Sequence, residues 1–190
     1  MCARLHKAQT MTHPAYEVFA VKYAERDGTR SDHFMGGDPH DAPMPMAYYV
    51  WLIRNRERQL LVDTGFHLEL AARRNRRYLR APTDALALLD VDSQKISEVV
   101  ITHMHNDHAG GILDYPNATF HMQDVEMAYV TGRQMRHEFL RRSFVAEHVV
   151  SMVRKVFEDR VAFHDGDDEI APGIVSTESA VTPRGCSAYV

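Results

Sequence analysis

Ten residues constrain this chain more than any others: Thr102 to Gly111, reading THMHNDHAGG. Three imidazoles and a carboxylate, His103, His105, Asp107 and His108, fall within six residues directly after the apolar, β-rich run Val99-Val100-Ile101. Side chains two apart beyond a strand end can converge on one point, and the next pair can face a second point close by. Imidazole nitrogen and carboxylate oxygen are ligands that borderline ions such as zinc accept. A polar loop with incidental histidines is the simpler reading, but crowding so many titratable groups without an ion carries a high desolvation cost. The spacing favours a metal loop. Gly110 and Gly111 are expected to let the backbone turn tightly and open a helix.

The pattern HxHxDH after an apolar strand, followed by GG, resembles the metallo-β-lactamase superfamily of metal-dependent hydrolases. Leu61-Val62-Asp63-Thr64-Gly65 is similar to the strand and turn that this superfamily carries ahead of its metal loop. The spacing between the motifs, and the long lead before them, resemble the N-acyl homoserine lactonase branch over about residues 16 to 174. The resemblance implies an α/β fold, a metallo-β-lactamase-like αββα sandwich. It implies two zinc ions, with His103 and His105 on the first and Asp107 and His108 on the second. It gives Asp107 a further part in proton handling and puts Asp63 behind the ligands, where a carboxylate can orient metal-bound histidines. The implied reaction is hydrolysis of an ester-like bond. Two adjacent ions lower the pKa of a shared water from about 15.7 to about 7, giving a metal-bound hydroxide as nucleophile. A quorum-signal lactone is the leading substrate, and a glyoxalase II-like thioesterase is the enzyme alternative, opposed by the Met-bearing lead. Neither Cys2 nor Cys186 has a nucleophile's sequence context.

The whole chain is consistent with such a domain. Its 190 residues allow one sizeable core, and 45% hydrophobic with 25% charged residues is ordinary for a soluble globular protein. A formal net charge of −4 gives no electrostatic case for nucleic acid as a partner. No run approaches a membrane span, and MCARLHKAQTMTHPAY lacks a signal-like apolar core. The expectation is a cytoplasmic protein with its two cysteines unpaired. Met11 serves equally well as a start. Residues 1–15 are expected to form an unstructured lead, 16–175 the N-terminal part of the domain, and 176–190 an aberrant tail.

Local patterns predict strands over 16–23, 48–53, 59–62, 98–101, 118–122, 161–164 and 169–174. The Gly- and Pro-punctuated segment 26–45 reads as a loop whose methionines, Met35, Met44 and Met46, pack beneath it or line an apolar groove. Helices are predicted over 67–79, where the arginines form a solvated face rather than a phosphate site, and over 85–89, capped by Thr83 or Asp84. Two more are predicted: 123–130, and a long amphipathic helix over 133–157. His33, His40, His121, His137, His148 and His164 are scattered singly and read as packing or surface residues.

One departure from the family pattern stands out. The resemblance calls for a later histidine in a GHTPG-like turn, a bridging Asp and a final His, yet no histidine comes after His164 and the last acidic residue is Glu178. Only four of the seven implied ligands are present, each half-site having two where catalytic zinc takes three. The chain reads either as a lactonase-type hydrolase by descent or as an inactive, truncated remnant lacking the fold's second half, prone to self-association through open edges and an exposed sheet face. The codon families of Ser179 to Arg184, regrouped by one base, permit Gly-Gly-His-Thr-Pro. The expectation is a frameshift between about Gly173 and Ser179. Gene sequencing checks it: the shifted frame should encode this turn and continue into an Asp and a further His, whereas immediate stop codons would refute it.

Overall fold

The computed structural model of the protein describes residues 14–34, 36–178 and 187–189. Met35, both cysteines and the residues of the proposed shifted frame lie outside the described residues. Strand β1 (Glu17–Arg26) runs antiparallel to β2 (Met46–Arg54), which turns back into β3 (Gln59–Val62). The hairpin closes on Asn55, whose Oδ1 accepts from the amides of Glu57 and Arg58 at 2.9 Å each. Next along the chain are α1 (Leu68–Arg73), β4 (Arg77–Tyr78), α2 (Pro82–Ala87), β5 (Glu98–Val100), β6 (Thr119–Gln123) and α3 (Asp124–Val130). Then come α4 (Glu138–Arg141), α5 (Ala146–Phe157) and β7 (Val161–His164). The large sheet has the order β4-β1-β2-β3-β5-β6-β7, with β3, β5, β6 and β7 parallel. Strands β8 (Asp168–Ala171), β9 (Ile174–Glu178) and β10 (Ser187–Tyr189) make a second sheet, ordered β10-β9-β8.

Strand alternation gives each face of the large sheet its own job. Tyr23, Val50, Leu52, Val99, Phe120 and Met122 bury against the helices, meeting Leu86 of α2 and Met152 of α5. Ile53, Leu60, Val62 and Val100 point the other way, onto Ala171 and Ile174 of the second sheet. The α/β sandwich anticipated from the metal-loop motif is the fold that forms. Among the described residues no helix is long and apolar enough to cross a membrane.

Several local expectations are corrected by tertiary contacts. The helix expected over 67–79 stops at Arg73, because Asn75 takes a left-handed φ of 52° and sends the chain into β4 on the edge of the sheet. Among its arginines, Arg74 donates to the Arg142 carbonyl, Arg76 stacks over Tyr48, and Arg77 pairs with Glu25. Helix α2 starts at Pro82 behind Ala81, with no side-chain cap from Thr83 or Asp84. The segment expected as one strand over 169–174 is a hairpin turning at Pro172-Gly173, the glycine at φ 81°. Met44 and Met46 are each 39% exposed, so neither packs beneath the 26–45 loop.

The long helix expected over 133–157 is broken into a 3-10 turn, α4 and α5. At the break, the Ser143 carbonyl accepts from both Asn106 N and Asn106 Nδ2 at 2.8 Å, and Phe144 packs edge-on against His105 with ring centroids 4.7 Å apart. Periodicity could not anticipate that these contacts would replace helical hydrogen bonds.

His121 and His164, read as unrelated, form a polar bridge between the sheets. Asp168 Oδ2 accepts from His164 Nδ1 at 2.6 Å, and His164 Nε2 accepts from His121 Nδ1 at 3.0 Å. Beside them Gln123 Nε2 donates to Ser176 Oγ at 2.8 Å. Burial, then the neighbouring His164 and Arg58, push the His121 imidazole down from 6.5 to about 4 against the opposing pull of Asp168. The fold thus prefers neutral His121. Its contribution is whole above the unfolded value of 6.5 and is lost as pH falls from there toward 4. Thermal melts of the wild type should fall over that window, and His121→Asn should flatten the fall; an equally steep variant would show that the titration lies elsewhere.

Candidate metal centre

The loop that carries the histidines is held from its base upward. Strands β3 and β5 are parallel neighbours with Val62 opposite Val100, so Asp63 and Thr102 leave the sheet side by side. Asp63 is 3% exposed and adopts φ 62°, a conformation that L residues other than Asn and Asp rarely take. Its backbone N–H still bonds Val100 O at 2.8 Å, while its carboxylate lies beneath the loop. Oδ1 accepts from Thr102 N and Thr102 Oγ1, both at 2.8 Å, and Oδ2 accepts from His108 Nδ1 at 2.6 Å. Since the Thr102 hydroxyl gives its proton to Asp63, its lone pair can accept from His103 Nδ1, 3.0 Å away. That tautomer leaves His103 Nε2 with a free lone pair.

Other parts of the fold grip the same loop. Tyr23 of β1 donates from its hydroxyl to the Asp107 carbonyl at 3.0 Å, and Thr64 N and Oγ1 donate to the His108 carbonyl at 2.7 and 2.9 Å. Met104 N donates to Glu126 Oε1 of α3 at 2.6 Å. The paired glycines serve close approach rather than an unusual turn. A Cβ on Gly110 would lie 2.6 Å from Gly65 O, and one on Gly111 would lie 2.7 Å from Thr64 O. The helix expected after them is a short 3-10 helix over Ile112–Asp114, with Gly111 at its N-cap.

The four residues singled out in the sequence come together. The His103 ring centroid is 4.4 Å from that of His105 and 3.9 Å from that of His108, and Asp107 Oδ2 lies 3.5 Å from His108 Nε2. Burial, reinforced by His108 and His105, pushes His103 down to about 2, and burial lowers His105 as well. Both are therefore neutral donors at pH 7. Burial works against charge on Asp107, but His108 outweighs it and holds the carboxyl at about 2. Burial likewise opposes charge on His108, yet Asp63 and Asp107 overcome it and push that imidazole up to about 10. An ion at His108 Nε2 would replace the proton held there. In kind, neutral imidazoles and an ionised carboxylate fit zinc. In number they are sparse: among the described residues no three His, Cys, Asp or Glu side chains are arranged around a common ion position.

Glu126, Tyr23, Ser143 and Phe144, none of them distinguished by sequence pattern, join the site through folding. Glu126 looked like an ordinary acidic residue in a helix's first turn, and the only hint was its place between apolar neighbours.

A family model described as the metallo-beta-lactamase superfamily matches residues 44–190. Among solved structures, an N-acyl homoserine lactone hydrolase with the product N-hexanoyl-L-homoserine bound at its catalytic metal center is similar at 15% identity and TM-score 0.67, over 94% of this chain and 70% of that one. A probable metal-dependent hydrolase from Staphylococcus aureus is similar at 16% identity and TM-score 0.70, over 89% and 66%. A dizinc quorum-quenching lactonase in complex with a product matches at 15% identity and TM-score 0.62, over 90% and 70%. At these identities the likeness is one of fold. No curated protein matches the sequence.

Two substitutions read the loop's support directly. Gly110→Ala should destabilise by about 1–3 kcal/mol, since backbone rather than a flexible side chain meets the new methyl. Asp63→Ala should cost about 3–5 kcal/mol by leaving the His108 cation without its buried partner. Urea unfolding measures both, and wild-type midpoints would refute such a clamp.

Proposed function

Because the chain belongs to the metallo-beta-lactamase superfamily, we propose that it descends from metal-dependent hydrolases of cyclic esters and that its site is of the N-acyl homoserine lactonase type. The observation that carries this reading is the gathering of His103, His105, Asp107 and His108 above the buried Asp63 carboxylate. His103 and His105 would hold one zinc ion, and Asp107 with His108 a second. The choice of a lactone draws support from similarity to a hydrolase that holds a ring-opened acyl homoserine at its catalytic metal center. Bound zinc would supply an acidified water and polarisation of the ester carbonyl.

The chain's own residues do the remainder. Asp63 fixes the His108 ring through Nδ1 and, through the Thr102 hydroxyl, the tautomer of His103. Asp107, kept ionised, would accept the proton that the attacking water gives up and pass it on to the departing alkoxide. Phe144, edge-on to His105, walls that ring with apolar surface and limits water beside it.

With two ligands per half-site, zinc binding should be weak. Zinc should be lost on dialysis, and replacing His103 and His105 with Ala should abolish what binding remains. Two zinc ions per chain surviving dialysis would overturn the sparse-site reading. Catalysis is tested with zinc-saturated protein on acyl homoserine lactones and on glutathione thioesters, with ring-opened product read by mass spectrometry. Lactone turnover above the His103→Ala, His105→Ala background supports the proposal, and thioester turnover alone would replace it.

A further inference from the structure

The side chains that grip the metal loop do not grip it at equivalent places. Asp63 bonds its first residue and its last imidazole, Tyr23 the Asp107 carbonyl, and Thr64 the His108 carbonyl. Glu126 bonds the amide of Met104, the residue between His103 and His105. That contact is buried throughout: Glu126 is 1% exposed and Met104 fully enclosed. Oε1 meets the amide at 2.6 Å, whereas Oε2 is buried and has no hydrogen-bond partner among the described residues.

Leaving one carboxyl oxygen unsatisfied in the interior is costly, so the single bond at Oε1 needs a compensating role. Apolar packing alone would be served better by leucine or methionine at position 126. The bond locks the peptide plane from which two imidazoles project to either side. A rotation of that plane would swing His103 and His105 relative to each other. The Met104 side chain, seated in the main core, anchors the same residue by packing. Burial also pushes the Glu126 carboxyl up to about 7, so acceptor geometry rather than a full negative charge is what it offers the loop.

Building on the metal reading above, we infer that Glu126 is a positioning residue that sets the mutual orientation of His103 and His105 through the Met104 amide and thereby their joint affinity for a divalent ion. It touches neither substrate nor metal. Glutamine keeps a carbonyl acceptor at the same reach; alanine removes it.

The test is chelator-competition titration of zinc with the wild type, Glu126→Gln and Glu126→Ala, alongside visible spectra of the cobalt(II)-loaded forms. Alanine should weaken the ion by about 10–100-fold, as losses behind metal ligands do, and shift the cobalt bands. Glutamine should stay within about threefold of wild type and restore the spectrum. Should alanine not fold, the glutamine variant still decides, because a loss beyond about tenfold there overturns the acceptor role. An alanine variant that melts lower but binds zinc and cobalt as the wild type does would reduce Glu126 to packing and overturn the inference alone. A wild type that takes up neither ion overturns the metal reading, and the inference with it.

Discussion

The buried carboxylate of Asp63 is the constraint on which the loop region rests. It combines three conditions that are each unfavourable alone: a left-handed backbone, near-complete burial and a negative charge. They are tolerable together because the unusual backbone brings both oxygens under the loop, where each finds donors. Removing the strain by straightening Asp63 would cost those bonds, and removing the charge would strand His108. The parallel register of β3 and β5 is what makes the arrangement reachable, since it delivers Asp63 and Thr102 from adjacent strand ends.

From that base the loop acquires its shape by backbone proximity. The segments around Thr64 and Gly110 approach so closely that only glycine fits: Gly110 N donates to Gly65 O at 2.7 Å, and Gly111 N to Thr64 Oγ1 at 3.0 Å. Gly65 has a related reason, as its φ of 71° coincides with a site where a Cβ would strike Pro82 and Tyr23. The glycines of both motifs thus form one close contact, although they lie about forty-five residues apart in sequence.

Proximity of this kind explains what was legible in the sequence. The cluster of His103, His105, Asp107 and His108 was readable because its members are local, and the central strands were readable because burial on both sheet faces makes them short apolar, β-branched runs. The place of Asp63 behind the ligands was readable only through resemblance, although an acidic residue at a strand end beside a glycine can hold a neighbouring loop by its backbone amides. Glu126, Phe144 and the His121–His164–Asp168 bridge were hidden because their partners are distant in the chain and chosen by topology. The failure of the long helix over 133–157 has the same root. Apolar spacing reported a buried face correctly, but the loop claimed the Ser143 carbonyl and the Phe144 ring, and the helix yielded there.

The protonation pattern balances the charges of the loop within the chain itself. Two carboxylates, Asp63 and Asp107, lie on either side of the His108 ring, 2.6 Å from Nδ1 and 3.5 Å from Nε2. Two anions this close without a counter-charge, one of them buried, would repel; the His108 imidazolium supplies that charge from within the chain. On the proposed metal reading, an ion held at Nε2 would replace one proton and take over the compensating charge on the Asp107 side, while Asp63 would keep its proton donor at Nδ1. The same imidazole can then serve as counter-ion and as ligand with no rotation of its ring. His103 and His105, kept neutral by burial, have no such second state, so their orientation rests on the peptides that carry them. A site assembled this way separates its two requirements: charge balance resides with His108 and its carboxylates, and geometry with the loop backbone between His103 and His105.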